Sequence, residues 1–404
     1  MIIGIDASQA NKPQRTGTEW YAFYILKEWI QSKAFQGHTV RLYVPSPLLK
    51  DFGRLPSNWE VHTLTWPPKI FWSQLRLSVE LLVHRVDLLF IPSHAIPFIH
   101  PKKTLTTIHD IGFEISPELY SKKSIVNLQS TALQHIISIC VRICTLGKYG
   151  ANELDYQKFS IRYALKHAIR VFTVSRFSKK EIEQKFPYHP KIVVAYNGVR
   201  HDEFYYPYPQ NKIHEIRKKY ELPSSYMLSI GRVEKKKNTL ATIKIFEQII
   251  SEEPKIPLKL VVAGGWGFGF EEIKAYVQNH RLSEKIHFLG WVPQNDLPPL
   301  LAGASLFTFF SSYEGFGVPL MQSLAIGTPV VASDLDVFHE LSSGSALLCC
   351  PKNTKKCALV CLWALQKQKS ELIERGVQTA KHFTWEKTST VIRDNIIEVI
   401  AKNA

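Results

Sequence analysis

Short runs rich in β-branched and aromatic residues recur along this chain, each followed by a longer stretch with helical spacing: "MIIGID", "VRLYVPS", "DLLFIPS", "KTLTTIHD", "IRVFTVS", "KIVVAYNG", then "YMLSIGR", "LKLVVAGG", "KIHFLGW", "ASLFTFFSS" and "PVVASD". Strands this apolar have no polar face to turn to water, so both faces must be covered, and the intervening helices supply the cover. The pattern restricts the chain to parallel α/β layers. Its 404 residues exceed what one hydrophobic core usually serves and suit two such layers of about 150 to 200 residues each. The alternation breaks at "YNGVRHDEFYYPYPQ", Tyr196 to Gln210, where Gly, Pro and aromatics interrupt it. The expectation is two α/β domains, 1–198 and 199–384. The tail 385–404 carries Val391, Ile392, Ile396, Ile397 and Ile400 at helical spacing; lacking a strand of its own, it is expected to pack back on the first domain.

With 45% hydrophobic and 21% charged residues, the chain can fill two cores and does not have the composition of a disordered polymer. A formal charge of +15, from 50 basic and 35 acidic side chains, asks for an anionic partner: a nucleotide, an acidic membrane surface or nucleic acid. The absence of an aromatic-interleaved basic motif or a zinc pattern turns the reading away from nucleic acid. The cysteines at 140, 144, 349, 350, 357 and 361 sit in two local clusters, and no histidine or CxxC pair completes a tetrahedral set. They read as buried free thiols in a reducing compartment, with no metal expected. The opening "MIIGIDASQA" lacks the basic-then-apolar layout of a signal peptide, and no uninterrupted apolar run reaches about 18 residues. A cytoplasmic protein that does not span a membrane is expected. Segment 121–150 is basic and amphipathic, with Val126, Leu133, Ile136, Ile137, Cys140, Ile143 and Cys144 on one side of a helix beside Lys122, Lys123, Arg142 and Lys148. Two readings of it stay open: a helix packed on its own domain, the commoner fate of an apolar stripe, or a peripheral contact with the acidic inner face of a membrane.

Four stretches carry chemistry. In "DASQANKPQRTGTEWYAFYIL" a strand leads through a basic loop into a helix starting near Gly17, whose exposed amides suit a phosphate; a plain turn glycine is the competing reading. In "YMLSIGRVEKKKNTLATIKIF" a strand ends at Gly231, followed by Arg232 and Lys235 to Lys237 before a new helix. Cations at the carboxyl end of a parallel strand, beside a helix N-terminus, make a diphosphate cradle. Three adjacent lysines cannot all face one ligand, so most of that run is expected on the surface. The glycines of "LKLVVAGGWGFGFEEI" do not have dinucleotide-fingerprint spacing and read as a flexible turn. In "FFSSYEGFGVPLMQSLAIGTPVVASD" a buried strand runs through Glu314 and the amides of Gly315, Phe316, Gly317 and Val318 into a helix bearing Gln322. A carboxylate there can hold hydroxyls while amides meet an anion.

These pieces occur together and in order, and through them the chain resembles the retaining glycosyltransferases of family 4. The resemblance runs nearly end to end: "RTGTEWYAFYIL", "TIHDIGFEISPELYS", "VFTVSRFSKKEI", "VAYNGV", "SIGRVEKKKN", "FLGWVPQNDLPPLLAGASLFTFFSSYEGFGVPLMQSLAIGTPVVASD" and "FTWEK". It implies the GT-B fold, two Rossmann-like doubly wound domains facing each other across a cleft. It further implies metal-independent transfer of a hexose from a nucleotide-diphosphate sugar to a glycan, lipid-linked or other hydroxyl acceptor, with retention at the anomeric carbon, in cell-surface polysaccharide synthesis. No cofactor beyond that donor substrate is implied. On this resemblance Arg232 and Lys237 neutralise the leaving diphosphate, Gly17 offers its amide to it, and Glu314 and His109 face the transferred sugar. Gly231, Gly315, Phe316, Gly317, Val318 and Gln322 hold the donor. For His109 the competing reading is a core histidine satisfied by backbone.

Gln322 departs from the family's pattern, which has a glutamate on the donor ribose. A glutamine keeps one acceptor oxygen but loses the charge-assisted bond, about 1 kcal/mol, or a few-fold to tenfold in affinity. Two alternatives follow: a catalytically weak relative that binds nucleotide sugars, for which Gln322 is the best argument, and a nucleotide-sugar epimerase, which would need a clearer acid/base carboxylate set.

Overall fold

The computed structural model describes residues 1–66, 71–123, 148–366 and 370–402. Their contacts divide into two compact units, Met1–Gly198 with Trp385–Ala404, and Val199–Thr384.

The first unit is built on a parallel sheet of strands β1 (Ile2–Asp6), β2 (Thr39–Val44), β3 (Trp59–Thr63), β4 (Leu88–Ile91), β5 (Lys103–Thr107), β6 (Arg170–Thr173) and β7 (Lys191–Val194), in the order β3-β2-β1-β4-β5-β6-β7. The second sheet holds β8 (Tyr226–Ile230), β9 (Lys259–Ala263), β10 (Ile286–Gly290), β11 (Leu306–Phe309), β12 (Val330–Ser333) and β13 (Leu347–Cys349), in the order β10-β9-β8-β11-β12-β13. Each order starts outward from its first strand, reverses and returns on the other side, which is the Rossmann-like doubly wound arrangement. The reversal leaves a switch point between β1 and β4 in one sheet and between β8 and β11 in the other. Ligands of such sheets bind outside the carboxyl ends of the strands at that point.

All the apolar runs read from the sequence are strands, and two strands escaped that reading. β3 is an edge strand whose residues after Trp59 are largely exposed, and β13 is an edge strand of three residues. An edge strand with water on one side needs no continuous apolar run.

The last helix, Trp385–Ala401, belongs to the first unit, where Trp29 Nε1 donates to the Ser389 carbonyl at 3.0 Å. Arg170, itself buried, donates to Asn395 Oδ1 at 2.7 Å and pairs with Glu398 at 2.8 Å. The basic amphipathic stretch within 121–150 lies, from 124 to 147, outside the described residues. No helix among the described residues is long and apolar enough to cross a membrane. Cys349, Cys350, Cys357 and Cys361 are free thiols, all but Cys350 buried.

Candidate functional site

The switch point of the second sheet collects the charged residues of the sequence reading. β8 ends at Ile230, and the chain passes Gly231 and Arg232 before the helix Thr239–Glu252 begins behind Asn238. The three lysines between them diverge. Lys235 lies over the Phe268 ring and within 3.8 Å of Glu272, and Lys236 lies over Tyr313. Lys237 turns inward: its Nζ donates to Glu314 Oε1 at 2.6 Å and lies 5.1 Å from the centre of the Phe309 ring. The Arg232 side chain is two-thirds exposed, with Glu234 at 3.5 Å.

Glu314 comes from the neighbouring strand. β11 is buried throughout, and after it Ser312 N donates to the Lys236 carbonyl at 2.9 Å, tying the two loops together one residue before Lys237. The Glu314 side chain is 9% exposed and that of Lys237 23%. A carboxylate this buried requires its cation, and the cation keeps two further N–H donors for a ligand. Beyond Glu314 the backbone of Gly315, Phe316 and Gly317 is buried, and the Phe316 ring packs edge-on against Phe383 at 5.8 Å. Gly317 has φ +99° and a side chain there would meet Phe338 at 2.8 Å, so the turn into the helix Val318–Ala325 admits only glycine. Gln322 is partly exposed in the second turn of that helix.

The glycine-rich stretch after β9 is not a flexible turn. Val233 N donates to the Gly265 carbonyl, Gly267 N to the Val233 carbonyl and Lys235 N to the Phe268 carbonyl, at 2.9, 3.0 and 3.0 Å. A Cβ on Gly264 would lie 1.9 Å from the Gly231 carbonyl oxygen. Gly264 is needed because two backbones touch there, and the contact holds the loop that carries Arg232 and Lys237.

The sequence reading also missed two aromatics. Trp266, half exposed, packs on Phe270 and Phe288 with ring centres 3.9 and 5.4 Å away. Trp291, equally exposed, follows Gly290, whose carbonyl accepts from Gly264 N at 2.7 Å. Both stand past the carboxyl ends of strands, Trp266 after β9, which pairs with β8, and Trp291 after β10, one strand further out. Their signal was a tryptophan directly after a strand in "GGWG" and "LGWV".

In the first unit, helix α1 (Gly17–Gln31) starts with a capping box between Thr16 and Glu19, and the side of Gly17 where a Cβ would project is open. The loop before it is anchored by buried Arg15, which donates to the Ala10 carbonyl at 2.7 Å, pairs with Asp51 at 2.6 Å and lies 3.9 Å from the Phe23 ring. His109, two residues past β5, is partly buried; its Nε2–H donates to the Pro92 carbonyl at 3.2 Å and Tyr21 meets its ring edge-on. Burial pushes its pKa down to about 4, so the ring is neutral at pH 7. Two groups missed by the sequence reading stand on the same edge. Asp6, at the end of β1, accepts from Ser8 N and Ser73 Oγ, and burial raises its pKa. His94, past β4, lies 2.5 Å from Gln157 Oε1, and burial lowers its pKa.

Comparison with known proteins brings these features together. The profile "Glycosyltransferase Family 4" matches residues 15–203, and "Glycosyl transferases group 1" matches 212–382. The O-antigen chain mannosyltransferase B of Escherichia coli is 27% identical over 346 residues, 85% of this chain and 81% of the relative. An N-acetylgalactosamine-N,N'-diacetylbacillosaminyl-diphospho-undecaprenol 4-alpha-N-acetylgalactosaminyltransferase of Campylobacter jejuni is 29% identical over 230 residues, 56% of this chain and 59% of the relative. Among solved structures, Anabaena HepE in complex with UDP and glucose superposes with a TM-score of 0.68 at 16% identity, covering 98% of both chains. That likeness establishes the GT-B, Rossmann-like two-domain fold.

Proposed function

The chain belongs to the family 4 glycosyltransferases, and on that premise we propose that it transfers a hexose from a nucleotide-diphosphate sugar to a glycan or lipid-linked hydroxyl acceptor. We further propose that transfer retains the anomeric configuration, uses no metal, and serves cell-surface polysaccharide assembly in the cytoplasm. The observation that carries the reading is the convergence of Lys237, Glu314 and the Gly231–Arg232 turn at the switch point of the second sheet.

On this reading the diphosphate lies over Gly231, where the Lys237 ammonium and the exposed fork of Arg232 meet the charge that grows on the leaving group, the task a divalent cation performs in other transferases. Lys237 already bonds Glu314, so its charge is fixed in place before the donor arrives. The Glu314 carboxylate then accepts from the hydroxyls of the transferred sugar, and the amides of Gly315 to Val318 face the phosphate end. Gln322 bonds the ribose. Trp266 and Trp291 offer ring faces to the base, a contact worth about 1–3 kcal/mol per base. From the first unit, Gly17 contributes its amide. His109, its Nε2–H held by Pro92, has Nδ1 as an acceptor for a sugar hydroxyl.

Two relatives inform the substrates to try. The Escherichia coli one is a mannosyltransferase, so mannose is the first donor sugar; the Campylobacter one acts on a diphospho-undecaprenol-linked sugar, so lipid-linked acceptors come first. The test incubates the protein with a panel of UDP, GDP and ADP sugars and acceptors in excess chelator, with released nucleotide diphosphate and product anomer as readouts. Transfer with retention in chelator supports the proposal. Absence of release from every donor, with nucleotide sugar still bound, would indicate the binding-protein alternative, and interconversion of donors without release would indicate an epimerase.

A further inference from the structure

Cys349, Cys350, Cys357 and Cys361 are gathered at one edge of the second sheet, and the reaction proposed above uses none of them. Cys349 closes β13, and Cys357 lies in the first turn of the helix Thr354–Gln366. The connection between them is tied down at several points. Asn353 N donates to the Cys350 carbonyl, Cys357 N to the Asn353 carbonyl and Lys356 N to Asn353 Oδ1, each at 3.0 Å, and the Cys357 thiol donates to the Cys350 carbonyl at 3.2 Å. Folded this way, it brings the thiols of Cys349 and Cys357 into hydrogen-bond contact, both of them buried in one core cluster with Cys361.

A buried cysteine usually serves as a small hydrophobe. Cys361 fits that description: burial raises its pKa and keeps the thiol protonated and inert. Cys349 and Cys357 do not. The hydrogen bond from the Cys349 thiol stabilises negative charge on the Cys357 sulfur, raising the pKa of Cys349 and lowering that of Cys357, with the Lys356 ammonium adding to the second effect. The free amides of the helix N-terminus act in the same direction. Cys357 is therefore the nucleophile of the pair, and Cys349 is the partner already in contact with it. What covers them is thin, since Lys352, Asn353, Lys355 and Lys356 are exposed and β13 is an edge strand. A small solute reaches the pair by local opening of this connection, without unfolding of the core.

We propose that Cys349 and Cys357 form a reversible oxidation site, at which hydrogen peroxide converts the two thiols to a disulfide that clamps β13 to the helix Thr354–Gln366. The Cys357 thiolate attacks one peroxide oxygen; the S–O bond forms, the O–O bond breaks and hydroxide leaves, taking up the Cys357 proton as water. The Cys349 sulfur then attacks the sulfenic sulfur; the S–S bond forms, the S–O bond breaks and a second water leaves with the Cys349 proton. Two electrons pass from the thiols to the peroxide, and a dithiol reductant returns them by exchange. The clamp acts close to the donor loop. The Cys349 carbonyl accepts from Asp334 N at 3.1 Å, Ser333 Oγ donates to the Ser311 carbonyl at 2.7 Å, and Ser312 N donates to the Lys236 carbonyl at 2.9 Å. Oxidation thus steadies the carboxyl edge of the sheet from which Glu314 projects. The inference does not depend on the transferase reaction.

The test treats the reduced full chain with hydrogen peroxide, blocks the remaining thiols with an alkylating agent and maps the peptides by mass spectrometry, which needs no variant. A Cys349–Cys357 cross-link with a mass loss of about 2 Da is expected, and dithiothreitol should remove it. The thermal midpoint of the oxidised protein should rise by about 5 °C and fall back on reduction, because the closed loop restricts the unfolded chain. Cys349→Ala and Cys357→Ala should each abolish both changes, whereas Cys350→Ser should keep them; circular dichroism checks that each variant folds. The proposal is overturned if peroxide leaves Cys349 and Cys357 as free thiols, if it carries either to sulfinic acid without a cross-link, or if the bond runs through Cys350, Cys140 or Cys144 instead. A cross-link at the expected pair that leaves the midpoint unchanged would overturn the clamp.

Discussion

Lys237→Ala removes a charge that, on the proposed reading, serves two purposes, and the structure allows the two to be separated. The first is structural: Glu314 is left with its side chain 9% exposed and no ammonium at 2.6 Å. Deleting one partner of a fully buried pair costs about 3–5 kcal/mol. Lys237 is itself 23% exposed, so water can enter behind it. The expected loss is therefore smaller, about 2 kcal/mol, read as a lowered midpoint in thermal or urea unfolding. The second is electrostatic: withdrawing one preorganised charge from the leaving diphosphate should cut transfer by about a hundredfold or more, near 3 kcal/mol. Adding Glu314→Gln separates the effects, because a neutral amide no longer needs the ammonium. The double variant should recover most of the lost stability and none of the lost turnover, measured as nucleotide diphosphate released per unit time. If Lys237→Ala turns over near the wild-type rate, or if Glu314→Gln restores turnover along with stability, the lysine is a structural counter-ion and the phosphate assignment fails.

Four further outcomes are expected. Gln322→Glu should lower the Michaelis constant for the donor a few-fold with kcat little changed, because a ribose contact is equal in ground and transition states; loss of activity would mean that the amide N–H has an obligatory acceptor. Trp266→Ala and Trp291→Ala should each weaken nucleoside diphosphate binding about five-fold or more while leaving pyrophosphate inhibition unchanged, and equal losses for both ligands would remove the base from this edge. Gly264→Ala should destabilise the second unit by about 1–3 kcal/mol, since its Cβ cannot share space with the Gly231 carbonyl, and should reduce turnover further by displacing the phosphate loop; wild-type turnover would show that the loop contact is dispensable. The His109 pKa is pushed down to about 4 in the fold, below its ordinary value near 6.5, so between those values the unfolded chain binds the extra proton. Stability should then rise with pH across that window and be fully present above it, and the slope should flatten in His109→Gln when thermal midpoints are compared from pH 4 to 7.

Periodicity made the layers legible because a strand covered on both faces must be apolar at every position, and that demand survives in a single sequence. It failed at β3 and β13, where edges relax it. Charge placed after a strand singled out the loop from Gly231 to Lys237, and the impossibility of three adjacent lysines sharing one ligand anticipated their divergence toward Glu272, Tyr313 and Glu314. Asp6 and His94 could not be read: each sits alone in an apolar run, and only the doubly wound order brings the ends of β1 and β4 side by side.

The glycines after β9 show the limit of the same method more sharply. A glycine in a sequence states that something comes close, and says nothing of what. In a dinucleotide fingerprint the close neighbour is a ligand, and in a flexible turn there is none. For Gly264 the neighbour is the Gly231 carbonyl, just past a strand some thirty residues earlier, 1.9 Å from where a Cβ would stand. Rigidity of the loop that carries Arg232 and Lys237 thus depends on a residue that carries no chemical group of its own. A preorganised charge is useful only if its backbone stays in place when the anion develops, so on the proposed reading Gly264 shapes catalysis by holding Gly231 where it is.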